Sequence, residues 1–257
     1  MSTAETSKIE ICGIGFSDLT PPAAAAIAAD ILARPERSAK YIVTPNPEIA
    51  ENAAKIPALL QAIAGAELVL PDGIGIVLAS RVLARRKRVA KSLSRCPGID
   101  FCSALLAICA EKGHSVFLFG AKPGVAQSAA ARLAETHPGL VIAGFRDGYF
   151  RPDEATAVVA EINAAAPDFL MICLGSPKQE IWACENQAAL TNVKLAACLG
   201  GVLDVYSGQT RRAPKWMQKT GLEWLYRLLR EPKRLFRVMK IPVFLARVLF
   251  GKGEKNK

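Results

Sequence analysis

The chain has 257 residues, 51% of them hydrophobic and 22% charged, enough apolar material for one large α/β domain or a domain with an appendage. That composition excludes a chain disordered throughout, and disorder is expected only at residues 1–7 and 251–257. Of 33 basic and 23 acidic residues, the segment 209–257 holds 14 Lys or Arg against three Glu, so the positive charge is concentrated in one stretch that is also rich in Trp, Phe, Leu and Val.

The opening MSTAETSKIE has neither a basic nor an apolar signal region, and no secretory signal is expected. No run of 18 apolar residues occurs, residues 241–250 being too short and interrupted by Arg247. The expectation is a cytosolic protein with at most peripheral membrane contact. Seven cysteines without a CxxC pair read as buried free thiols rather than disulfides or a zinc site.

In chain order, apolar runs predict strands at 9–14, 40–43, 66–70, 115–119, 140–144, 169–174 and 195–199. Helical patterns lie between them at 22–33, 47–64, 74–83, 98–112, 124–136, 152–165 and 178–190. Alternation of this kind implies an α/β fold, a mostly parallel sheet with helices on both faces. From Gly221 onward, Pro232 and Pro242 are expected to divide a basic helical appendage into short helices. The organisation expected is a core at 1–208 and an appendage at 209–257, the core folding by itself when the appendage is deleted.

Polar residues gather where strands end, the edge at which such sheets bind ligands. In Thr44-Pro45-Asn46-Pro47-Glu48, Pro47 suits the first helical position and Asn46 the cap, and the alternative is that Thr44 and the helix start face a ligand. Asp72, in Pro71-Asp72-Gly73, is a candidate general base or merely a helix cap. Gly120-Ala121-Lys122-Pro123-Gly124 is a strand–turn–helix loop able to approach a diphosphate, but it is neither GxGxxG nor a Walker A loop. Gly148, in Asp147-Gly148-Tyr149-Phe150, is a candidate contact to a base or a plain turn. Gln179 and Glu180 open the next helix, with the amide able to read a hydroxyl or a base edge, and Gly200-Gly201-Val202-Leu203-Asp204 follows the last strand. His114 and His137 fall in loops and receive no catalytic role. No DxD motif occurs, so no metal is expected.

Seven segments read together resemble the WecG/TagA/CpsF family of glycosyltransferases: TPNPE (44–48), PDGIG (71–75), RCPGID (95–100), FLFGAKPGVA (117–126), LGSPKQE (174–180), GGVLD (200–204) and RRAPKWMQKTGLEWLYRLLREPKRLFR (211–237). The resemblance implies a Rossmann-like domain without metal or other cofactor. It implies inverting transfer of N-acetylmannosamine, glucose or a related hexose from a UDP donor to a polyprenyl-diphosphate-linked sugar, in exopolysaccharide, capsule or wall polymer synthesis. It implies Asp72 as base and Thr44 as its helper, and an appendage that touches the membrane and brings Arg227, Arg234 and Arg237 to the site. Asn46, Arg95, Gly120, Gly148, Gln179, Glu180 and Asp204 complete the expected substrate contacts, and the basic stretch 85–94 before Arg95 is longer than is usual in that family. On a helical wheel Arg227, Arg234 and Arg237 share one face.

The basic, apolar appendage suits an anionic membrane surface, which places the protein on the inner face of the plasma membrane. Two other readings are a nucleic-acid-binding α/β protein and a non-catalytic scaffold of polysaccharide assembly. The first leaves Asp72 and Gln179 without a task, and nucleic acid is not expected as a partner. Oligomeric state is left open, a homo-oligomer that buries the appendage being one arrangement.

Overall fold

The computed structural model describes residues 8–86 and 88–250, and of Arg234 and Arg237 it describes the backbone alone. The disorder expected at 1–7 and 251–257 lies outside the described residues. The strands are β1 (Lys8–Ile11), β2 (Ile14–Ser17), β3 (Lys40–Val43), β4 (Leu68–Val69), β5 (Ser115–Gly120), β6 (Val141–Arg146), β7 (Phe169–Cys173) and β8 (Leu195–Cys198). The last six form one parallel sheet in the order β4-β3-β8-β7-β5-β6. All their carboxyl ends therefore point to one edge.

The sheet has a core on each face. Tyr41 and Val43 of β3 pack into one cluster with the β1–β2 hairpin and the helices Pro47–Ala53, Pro57–Ala64 and Lys178–Asn186. Ile42 points the other way, into a cluster with the helices Pro21–Leu32, Gly98–Lys112 and Val125–Thr136. Burial on both faces is why these strands read as unbroken apolar runs.

The structure departs from the sequence reading in three places. The expected strand 9–14 is a hairpin, because Cys12 (φ 51°) and Gly13 (φ 76°) make a two-residue turn with positive φ at both positions, joining Ile11 to Ile14. The expected helix 47–64 is two, Pro47–Ala53 and Pro57–Ala64, since Pro57 holds Ile56 extended. The appendage is divided as expected: one helix ends at Arg230 before Pro232 and another at Val238, four residues before Pro242, which itself sits in the first turn of the helix Lys240–Phe250, where its missing N–H costs nothing. Arg227, Arg234 and Arg237 do not share a helix, for the helix ends at Arg230 and a 3₁₀ turn, Pro232–Arg234, precedes the short helix Leu235–Val238. The wheel argument fails with it.

The helix Lys240–Phe250 docks on the core. Phe244 is fully buried and Val248 nearly so, in the same cluster as Ile49, Ala50 and Ile76. Phe244 belongs to the appendage expected at the membrane, yet it is a core residue. Arg247 Nε lies 3.0 Å from the buried carboxylate of Glu51, Lys240 Nζ donates to Asn52 Oδ1 at 2.8 Å, and Arg86 Nη1 donates to the Leu249 carbonyl at 2.6 Å. A boundary at 208/209 thus cuts through a packed layer. Phe244→Ala is expected to cost about 3–5 kcal/mol, read as a lower urea midpoint with an unchanged slope. Cys96, Cys102, Cys109, Cys173 and Cys198 are buried free thiols, and Cys12 and Cys184 are half-buried.

Candidate active site

Because the strands are parallel, the segments after β3, β4, β5, β6, β7 and β8 meet at one edge of the sheet, and the appendage roofs the space they enclose. The result is a cleft of about 500 Å³. Its wall includes Thr44, Asn46, Asp72, Arg95, Gly148, Gln179, Asp204 and Arg227 from the sequence reading. Gly120 and Glu180 lie behind the wall. A Cβ at Gly120 would come within 2.4 Å of the Cys173 backbone, so the glycine lets β5 and β7 close together and presents Ala121 and Lys122 instead.

Thr44 is buried, its hydroxyl donating to the Cys198 carbonyl at 3.0 Å. A Cβ on Gly98 would lie 3.1 Å from Thr44 Oγ1, so the glycine brings the start of the helix Gly98–Lys112 against this hydroxyl. Asn46 is the expected cap: its Oδ1 accepts from the Ile49 N–H at 3.1 Å, with Pro47 at the first helical position. Gln179 is committed to the protein at both ends of its amide. Its Nε2 donates to Glu180 Oε1 at 2.8 Å and its Oε1 accepts from the Gly200 N–H at 2.9 Å, so it braces the Gly200–Gly201 turn and is not free to read a ligand through those atoms. Glu180 is buried with Oε2 unpartnered among the described residues, and burial raises its pKa. His114, by contrast, lies 3.7 Å from Asp168, just before β5 and so at the opposite edge of the sheet, with no part in the cleft.

Asp72 follows β4, its N–H donating to the Pro45 carbonyl at 3.2 Å, and Gly73 (φ 86°) turns the chain into the helix Ile74–Arg85. The residue is half-buried and lines the cleft. Burial raises its pKa to about 6; Arg227 and Arg95 pull it down, and Glu223 and Asp100 push it up. A carboxylate tuned to this range is ionised at neutral pH and basic enough to take a proton.

The appendage supplies half of this environment. Gly221 (φ 78°) lets its chain press on Ile74, to which a Cβ there would come within 3.0 Å. Glu223, Trp224 and Arg227 of the helix Glu223–Arg230 all face the cleft, and Arg95 Nη2 donates to the Gln218 carbonyl at 2.6 Å. Arg234 and Arg237 cannot be placed by side chain, which lies outside the described residues. Sequence reading missed Arg212, half-buried between Asp100 (2.6 Å) and Glu223 (3.1 Å). Its only sequence signal was its place in the long signature at 211–237, where it read as part of the charge run. Among the described residues no group of His, Cys, Asp or Glu is arranged to hold a metal ion.

Comparison with known proteins gives the family. The family model described as glycosyl transferase WecG/TagA/CpsF matches residues 9–257. The chain is 38% identical over 216 residues, 84% of its length and 80% of the relative's, to an N-acetylglucosaminyldiphosphoundecaprenol N-acetyl-beta-D-mannosaminyltransferase of Bacillus subtilis (strain 168). It is 36% identical over 209 residues, covering 81% of itself and 78% of the relative, to a protein of the same name from Bacillus spizizenii (strain ATCC 23059 / NRRL B-14472 / W23).

Proposed function

The chain belongs to the WecG/TagA/CpsF family of glycosyl transferases, and from that premise we propose that it moves a hexose from a UDP donor to a polyprenyl-diphosphate-linked sugar, with inversion, in envelope polymer synthesis. The observation that carries the reading is the Asp72 carboxyl, alone among the cleft's strand-end groups in combining an opening to the cleft with a pKa raised to about 6, and acted on by the cations Arg95 and Arg227. The relatives are named for an N-acetylglucosaminyldiphosphoundecaprenol acceptor and the transfer of an N-acetyl-beta-D-mannosaminyl group, which makes that pair the first to test here.

In the proposed step the acceptor hydroxyl gives its proton to Asp72 as its oxygen bonds to the anomeric carbon. The bond from that carbon to the diphosphate breaks on the opposite face, its electron pair leaving with UDP. One displacement inverts the centre. The leaving diphosphate gathers negative charge, which Arg227, Arg95 and the start of the helix Gly98–Lys112 are suited to stabilise. Thr44, its proton held by the Cys198 carbonyl, keeps oxygen lone pairs with which to accept from a sugar hydroxyl. Turnover is expected to survive EDTA, because the chain has no DxD motif and has arginines at the cleft; activity lost to chelation and restored by magnesium or manganese would overturn the arginine role. The test of the reading is a screen of UDP-hexoses with a lipid-diphosphate-linked acceptor, reading UDP release and the anomeric configuration of the product. No release with any donor, or a retained anomer, would sink it.

The same reading puts the protein on a membrane that holds the acceptor. Among the described residues no helix is long and apolar enough to cross a membrane. The appendage instead exposes Trp216, Leu229, Leu235, Phe236, Met239, Val243 and Phe250 among its basic residues. Apolar side chains set in positive charge suit the boundary of an anionic bilayer. Leu229→Asp with Phe236→Asp is expected to abolish flotation with phosphatidylglycerol vesicles and leave the melting temperature within about 2 °C, since exposed positions carry little stability. Undiminished flotation would place membrane contact elsewhere.

A further inference from the structure

Arg212 precedes the appendage helices and joins them to the sheet domain. Its Nη1 donates to Asp100 Oδ1 at 2.6 Å and its Nε to Glu223 Oε1 at 3.1 Å. Asp100 stands in the first turn of the helix Gly98–Lys112, whose start lines the cleft. Glu223 is the first residue of the helix Glu223–Arg230, and Arg227 follows it by four residues, one turn along the same face. The two edges of one guanidinium therefore hold a core helix and the helix that carries Arg227.

We propose that Arg212 is a positioning residue for sugar transfer: by bridging Asp100 and Glu223 it holds Arg227 over the cleft beside Asp72, so that the site is complete only while the bridge is made. The inference rests on the reading of Asp72 as the base. Without the guanidinium, Asp100 and Glu223 face each other with no cation between them and repel. The helix start is then driven from the core, and Arg227 goes with it. Arg212 is more than one ordinary ion pair here, because a planar fork can serve two carboxylates from different elements where an ammonium serves one.

The charges around Asp72 turn this geometry into a measurable quantity. Facing it are Arg95, Cys96 and Asp100 from the segment before and into the helix Gly98–Lys112, and Glu223 and Arg227 from the appendage, with Arg212 paired to both carboxylates. Losing Arg212 leaves Asp100 uncompensated and withdraws Arg227, which favour protonated Asp72, while the departing helix takes Glu223 with it and lets water in, which favour the ionised form. The acidic limb of the pH profile of kcat/KM is therefore displaced from its wild-type position. A side chain that only stapled the fold would lower the melting temperature and leave the limb in place.

The experiment measures kcat/KM from pH 5 to 9, with melting temperature, for the full chain and for Arg212→Met, Arg212→Lys and Asp72→Asn. The expected result is a limb displaced by about one pH unit or more in Arg212→Met, with kcat/KM at pH 7 down roughly tenfold or more, and a smaller displacement in Arg212→Lys. If Arg212→Met does not fold, Arg212→Lys decides alone. A limb left at its wild-type pH in the folded variants overturns the positioning role, provided that Asp72→Asn has removed the limb from its residual turnover. A limb that persists in Asp72→Asn overturns the base assignment and this inference together, so the two failures are distinct.

Discussion

Asp72→Asn is expected to lower turnover by a factor of about 100 or more while UDP binding persists, the scale of losing a general base. The amide keeps the shape of the carboxyl and cannot take the acceptor proton. The pH profile supplies a second reading of the same group. Burial holds the Asp72 pKa at about 6 against an ordinary value of 3.8, so the catalytic, ionised form gains ground as pH rises through 6 and kcat/KM should climb there. The sign for stability is opposite. Between about pH 4 and 6 the folded state binds more protons than the unfolded one, so this group's contribution to stability falls as pH rises. An uncharged Asn escapes that penalty, and Asp72→Asn should melt at or above the wild-type temperature at pH 7.5. Thermal shift and UDP release on one preparation test both halves. Near-normal turnover would remove Asp72 from the mechanism.

Deleting residues 209–257 is expected to abolish turnover and to leave a core that aggregates or binds ANS strongly. The deletion removes Arg227 from the cleft and Arg212 from its bridge to Asp100, and it strips Met217, Phe244 and Val248 from buried positions. A single large side chain lost from a core costs about 2–5 kcal/mol, against a total stability of about 5–15 kcal/mol for a domain. The sequence suggested the reverse, a soluble core freed of a membrane tail. A soluble monomer with a sharp melting transition and no dye binding would restore that view.

Residues 209–257 show where sequence reasoning stops. Periodicity and charge marked them as helical, basic and apolar, and residues 215–250 are mostly helical. They could not say which of several phenylalanines faces the protein: Phe236 and Phe250 are exposed and Phe244 is fully buried, though all three sit among similar neighbours. That choice is made by the seat on the helices Pro47–Ala53 and Ile74–Arg85, a tertiary fact. Elsewhere the strands were legible because both faces are covered; β3 and the helix Gly98–Lys112 have the expected bounds. The β1–β2 turn was not, because a cysteine at positive φ carries no local signal. At the site, Thr44, Asn46 and Asp72 could be found because each ends a strand. Gln179 was found too, but read as a ligand contact, since no pattern reveals that its amide is already held by Glu180 and the Gly200 N–H. Arg212 could not be found at all, because its partners lie 112 and 11 residues away in the chain.

The order in which the chain is made gives the docked helix Lys240–Phe250 a consequence for the newborn protein. All six strands of the sheet have left the ribosome once residue 198 is out, while Arg212, Arg227 and Phe244 follow later. A domain that folds as it emerges would first hold Thr44 and Asp72 in a cleft without its roof, and an apolar seat around Ile49 and Ile76 without its plug. The nascent chain is thus inert toward its substrates and adhesive toward other chains for the time it takes to add about 50 residues, roughly 3–10 s at 5–20 residues per second. Assembly of the cleft and shielding of the core therefore finish in one event, the docking of the appendage.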